Sequence, residues 1–117
     1  MDSKYESLFT PWKIGNVEIK NRIVMCPMGG TSLFGWFELG GCHFDKEAAK
    51  LFLERANNNV GLIIPGIAPL RDTFWGKWLW QNPKMFEELK EFMDEIHKTG
   101  AKLFVQLTAG MGRSWAI

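Results

Sequence analysis

Several things are scarce in this sequence, and each scarcity removes a class of function. Two cysteines, Cys26 and Cys42, are too few for the multi-bridge framework of a small secreted domain. They are also too few for an all-cysteine zinc or iron–sulfur site within the chain, and such usage fits a reducing cytoplasm. Charge of one sign is scarce as well: 14 Lys and Arg stand against 13 Asp and Glu, a net of +1. With no basic run to follow a phosphate backbone, nucleic acid is not an expected partner. Nowhere do roughly 18 apolar residues run together, so no membrane span is written here. The opening "MDSKYESLF" carries acids and no long apolar core, which excludes a secretory leader in that stretch.

What is present is enough apolar residue, 46% of 117, to bury a core of ordinary size. Two short alternating runs flank Gly15-Asn16, a pair suited to positive φ, and predict a hairpin from Trp12 to Ile19. Ile23, Val24 and Met25 follow as a continuous apolar run of the kind buried on both faces of a parallel sheet. From Gly29 to Gly41 the chain holds five glycines and no regular period, which reads as a loop. Asp45 is suited to cap a helix whose apolar face is Ala48, Leu51, Phe52 and Ala56, ending at Asn57 to Asn59.

"VGLIIPG" predicts a second inner strand, stopped by Pro65. Residues 67–81 read as a loop rich in tryptophan. Asn82 and Pro83 then supply an N-cap and a first-turn proline, Phe86, Leu89, Met93 and Ile96 a buried stripe, and Gly100 a stop. "KLFVQL" is the third strand. Strand, helix, strand, helix, strand at this spacing predicts βαβ units on a parallel sheet with right-handed crossovers. The sequence ends four residues after Arg113, where a third helix should cover the third strand, so we expect the front end of a larger α/β protein.

In parallel α/β folds ligands lie at the carboxyl ends of the strands. Here those ends are "CPMGG", "PGIAP" and "QLTAGMGR". All three fall into Pro or Gly, which allows backbone to approach a flat ligand, although such turns are also common where nothing binds. Gln106 adds an amide that, deep among apolar neighbours, must find partners or cost about 1–3 kcal/mol.

"LFTPWKIGNVEIKNRIVMCPM", "VGLIIPGIAP" and "GAKLFVQLTAGMGR", in that order across nearly the whole chain, resemble the opening of the Old Yellow Enzyme family. The likeness is to its NADH:flavin oxidoreductase branch, which includes the 2-enoate and dienoyl-CoA reductases. The resemblance implies an eight-stranded (β/α) barrel with FMN at its mouth. This chain, residues 1–117, would be the amino-terminal hairpin and the first three βα units of that TIM barrel. It further implies reduction of an activated C=C in a small enone or enoate, with NAD(P)H as reductant. A 4Fe-4S cluster and FAD are possible in the longer parent. By motif, Pro27, Met28 and Gly29 match the first strand end along the flavin, Gly66 the small residue after the second strand, and Gln106 the glutamine on the pyrimidine edge. Two departures stand out. Gly29 replaces a cysteine or threonine found in some members, and "QLTAGMGR" lacks the histidine of the usual "QLxHAGR" and carries one residue more. No catalytic residue of the family falls within the chain, so the isolated piece is expected to be inactive.

An alternative from the binding class is a partial barrel that self-associates to cover its open edge. The remaining candidates read more plainly. His97, beside Lys98, suits a helix C-terminus; His43 lies in the glycine-rich loop as a surface residue or a substrate contact; Cys26 reads as a small buried apolar side chain. Phe74, Trp75, Trp78 and Trp80 either pack over the barrel top or form an aromatic wall for substrate, and no basic amphipathic helix accompanies them to a membrane.

Overall fold

The computed structural model describes residues 2–28, 33–34, 43–69 and 81–108. A 3-10 helix, Ser3–Phe9, leads into β1 (Trp12–Ile14) and β2 (Val17–Ile19). These pair antiparallel, Trp12 opposite Ile19, with Gly15 at φ 59° in the turn. Positive φ at this corner is what glycine supplies without a Cβ clash.

Three strands form the parallel sheet: β3 (Val24–Met25), β4 (Leu62–Ile63) and β6 (Lys102–Leu103), in the order β3-β4-β6. Leu62 and Ile63 of the central strand are both buried, as a strand covered on two faces requires. The crossovers are α1 (Lys46–Asn57) and α2 (Pro83–Lys98). Asp45 caps α1 as expected, its carboxylate accepting from the N–H groups of Glu47 and Ala48 at 3.0 Å each. Between sheet and helices lies one core that includes Phe52, Ile63, Met85 and Ile96, all fully buried. Each such side chain contributes about 1.5–3 kcal/mol by leaving water.

The hairpin sits at the amino end of this sheet, held by polar side chains. Buried Asn21 donates from Nδ2 to the carbonyl of Asn59 at 2.6 Å and accepts from the N–H of Ile23 at 3.0 Å. Trp12 Nε1 donates to the Asn21 carbonyl at 2.6 Å, and Lys20 Nζ to the Thr99 carbonyl, at the end of α2, at 2.8 Å. A cation there meets the negative pole of the helix. Asn59 and Thr99 each lie shortly before a strand, β4 and β6 respectively, so the hairpin closes the end opposite the strands' carboxyl termini.

Several sequence expectations need correction. Residues 67–69, read as loop, form β5 (Ile67–Pro69), and the third strand is broken into β6 and β7 (Gln106–Thr108). β5 and β7 pair in parallel, Ile67 opposite Gln106, so both segments resume as a second ladder after the break. The buried stripe of α2 begins at Met85, and Phe86 is 46% exposed. Both stripes fit a helical period, and packing selects between them: Met85 joins the core that includes Phe52 and Ala56 of α1, and Phe92, on the Met85 side, packs on Phe44, just ahead of α1, with ring centroids 5.7 Å apart. In α1 it is Ala49, with Phe52 and Ala56, that is buried, while Ala48 is only partly so. Asn82 stands at the N-cap of α2 but makes no side-chain capping bond. Cys26 is exposed, because it follows the last paired residue of β3 and stands at the sheet's rim.

Candidate functional site

A parallel sheet gathers its carboxyl ends on one side, and here the backbone register fixes how they adjoin. Met25 pairs with Ile63, and Ile63 with Leu103. One step further, the N–H of Ile64 donates to the Met25 carbonyl and that of Phe104 to the Ile63 carbonyl, each at 3.0 Å. The segments beyond are therefore neighbours: Cys26-Pro27-Met28, then Pro65-Gly66, then Val105-Gln106. Both helices begin at this same end.

Gly66 has φ 67°, a left-handed value at which other residues are strained, and its N–H donates to the Ile64 carbonyl at 3.0 Å across a tight turn centred on Pro65. Through that turn the chain enters β5 with Ile67 abreast of Gln106, so Gly66 lies next to the glutamine. Pro27 is half-buried and Met28 is 53% exposed. Gly29 lies outside the described residues, as do the tryptophan-rich stretch 70–80 and residues 109–117.

Gln106 is exposed, which overturns the expectation that its amide is sunk among apolar neighbours. It stands at the rim, past the last rung of the three-stranded sheet, with Val105 and Leu107 exposed at 43% and 56% on either side. Successive strand residues point to opposite faces, so within β7 Gln106 projects on the face opposite to Leu107. The described rim thus offers a thioether, a thiol, an amide with both donor and acceptor, and glycine backbone. A flat heteroaromatic ring with a polar edge of alternating carbonyl and N–H groups fits that set.

Sequence reasoning missed one support of this end. Leu33 and Phe34, assigned to a loop without period, are 0% and 1% exposed. The N–H of Leu33 donates to the Pro65 carbonyl at 3.5 Å, its carbonyl accepts from Asp45 at 2.9 Å, and the Phe34 carbonyl accepts from His43 at 3.3 Å. This apolar pair sits between the end of β4 and the start of α1, and its signal was an isolated "LF" among glycines. His43 is half-buried beside it, while His97 is exposed in the last turn of α2, where a cation suits the dipole. Among the described residues no three His, Cys, Asp or Glu side chains gather as metal ligands, and no helix is long and apolar enough to cross a membrane.

Comparison with known proteins agrees with this arrangement. Residues 7–115 match the model of the NADH:flavin oxidoreductase / NADH oxidase family. The chain is 36% identical, over 97% of its length, to a cinnamate reductase of Clostridium sporogenes, and 34% identical, over 86%, to an NADPH dehydrogenase of Bacillus velezensis. It spans only 17% and 29% of those relatives. Among solved structures, an Old Yellow Enzyme from a Pichia species superposes with a TM-score of 0.62 at 26% identity, over 86% of this chain and 26% of that one. The sheet order, the hairpin beneath it and the sequence match converge: the chain belongs to the NADH:flavin oxidoreductase / NADH oxidase family of Old Yellow Enzyme-type barrels, and its described residues carry the hairpin, the parallel strands and two crossover helices of that fold.

Proposed function

We propose that residues 1–117 serve as the amino-terminal part of an FMN-dependent oxidoreductase that reduces an activated C=C in a small enone or enoate with NAD(P)H. The observation that carries this reading is the rim itself, where Pro27-Met28, Gly66 and Gln106 adjoin by register at the carboxyl end of a parallel sheet. Pro27 and Met28, with Gly29 after them, would lie along the ring, Gly66 would admit its approach, and the Gln106 amide would pair with the pyrimidine edge. FMN would supply hydride transfer, and these residues would orient it. The relatives' names, a cinnamate reductase and an NADPH dehydrogenase, support the substrate class and the reductant. Groups that bind the substrate carbonyl, deliver the proton, or hold the flavin phosphate, a 4Fe-4S cluster or FAD would come from other residues, and this segment alone would be inactive.

The test is FMN titration, by flavin fluorescence quenching, of the barrel protein that this segment opens, with and without Gln106→Leu. That substitution keeps the approximate volume and removes the amide, so flavin polar groups lose partners at about 1–3 kcal/mol, or roughly 5- to 150-fold in affinity. Equal affinities with an unchanged flavin spectrum would refute the assignment. Circular dichroism controls for folding.

A further inference from the structure

The helical side of the sheet carries a second feature that flavin binding does not use. A groove of about 350 Å³ runs between α1 and α2, floored by apolar groups including Phe44, Leu53 and Phe92. Its α1 wall bears Lys46 and Lys50, and its α2 wall bears Glu88, Glu91 and Glu95. Among the described residues no ion pair crosses it; Lys50 instead pairs along its own helix with Glu47 at 2.9 Å. Glu88, Glu91 and Glu95 are spaced three and four apart on one helix, as like charges that repel, and the two lysines are likewise four apart. Among the described residues Lys46 on one wall and the three glutamates on the other thus have no ion pair, while Lys50 shares its charge with the exposed Glu47.

We propose that this face is a two-fold interface between two copies of the chain. A partner must present both signs side by side with an apolar seam between them. A basic or an acidic surface alone would be drawn to one wall and repelled by the other. The chain's own face meets the requirement. Both helices run antiparallel to the strands they connect and so parallel to each other. A two-fold axis along the groove then sets α1 of one copy opposite α2 of the other, at the same height. Lysines face glutamates on both sides of the axis, and their aliphatic stems close over the aromatic floors. An axis across the groove would set lysine against lysine, so charge selects one geometry.

The experiment uses the 117-residue chain. Sedimentation is measured for the wild type, for Lys46→Glu/Lys50→Glu and for Glu91→Lys/Glu95→Lys, four positions whose side chains are exposed and whose exchange should leave the circular dichroism intact. The wild type should show a concentration- and salt-dependent dimer. Each reversal should raise the dimer dissociation constant by about tenfold or more, and an equimolar mixture of the two variants should restore it. In parallel, wild-type chains labelled with 14N or 15N are mixed and coupled with a carbodiimide. Mixed-isotope links between Lys46 or Lys50 and Glu91 or Glu95 are expected, and this arm needs no variant to fold. A monomeric wild type, a mixture that stays monomeric, or association that survives both reversals and is lost on Leu107→Lys at the sheet edge would overturn the proposal.

Discussion

The contact between Asn21 and Gly61 is the most sharply testable part of the fold, because one side chain fills the space another would need. Asn21 is 4% exposed; it joins the hairpin to the segment entering β4 by a 2.6 Å hydrogen bond to the Asn59 carbonyl, and accepts a local one of 3.0 Å from the Ile23 N–H. Asn21→Ala leaves the Ile23 N–H and the Asn59 carbonyl without these partners. Both lie in a part-buried setting that water reaches, so we take the lower end of the range for each, about 1–1.5 kcal/mol and about 2–3 kcal/mol together. Gly61→Ala would place a Cβ against the Asn21 side-chain oxygen and 3.2 Å from its backbone oxygen. Such overpacking costs about 1–3 kcal/mol. In the double variant the amide is gone and only the backbone contact is tight, so the second substitution should add less than about 1 kcal/mol. The double-mutant cycle, measured by urea denaturation followed by circular dichroism, should fall short of additivity by about 1–2 kcal/mol. Additivity within about 0.5 kcal/mol would show that the amide does not occupy the space beside Gly61, and would refute this account of how the hairpin is fastened.

Two further outcomes follow from the helices. Asp45→Ala should destabilise the chain by about 1 kcal/mol through loss of the α1 cap, and thermal melts measure it. Phe92→Ala should cost about 3 kcal/mol or more, against less than about 1 kcal/mol for Phe86→Ala, since Phe92 is 6% and Phe86 46% exposed.

Residues with a local physical signature were legible in the sequence. Asp45, Gly15, Gly100 and the continuous apolar run at Leu62-Ile63 each act through a near neighbour or a backbone angle, and each stands where its signature put it. What escaped depended on partners far along the chain. Met85 rather than Phe86 joins the core shared with Phe52 and Ala56 of α1 and Ile63 of β4, and Ile67–Pro69 is a strand only because Gln106–Thr108 lies beside it. Leu33 and Phe34 are buried by Pro65 and the start of α1, which nothing in their own stretch reveals. At the candidate site, the adjacency of the three strand ends was legible from parallel topology, but the depth of Gln106 was not. Its exposure follows from the break after Leu103, and "LFVQL" reads as one uninterrupted strand.

The central claim is that the rim containing Gln106 meets the flavin, and the chain has a convenient internal control, since its two glutamines are Gln81 and Gln106. Amide NMR of the uniformly 15N-labelled 117-residue chain, titrated with FMN into the millimolar range, observes both side chains and the backbone at once. The account predicts that the Gln106 amide moves progressively with FMN, together with the backbone signals of Met28 and Gly66, while the Gln81 amide stays in place. A Gln106 amide that does not move, with Met28 and Gly66 equally still, would contradict it.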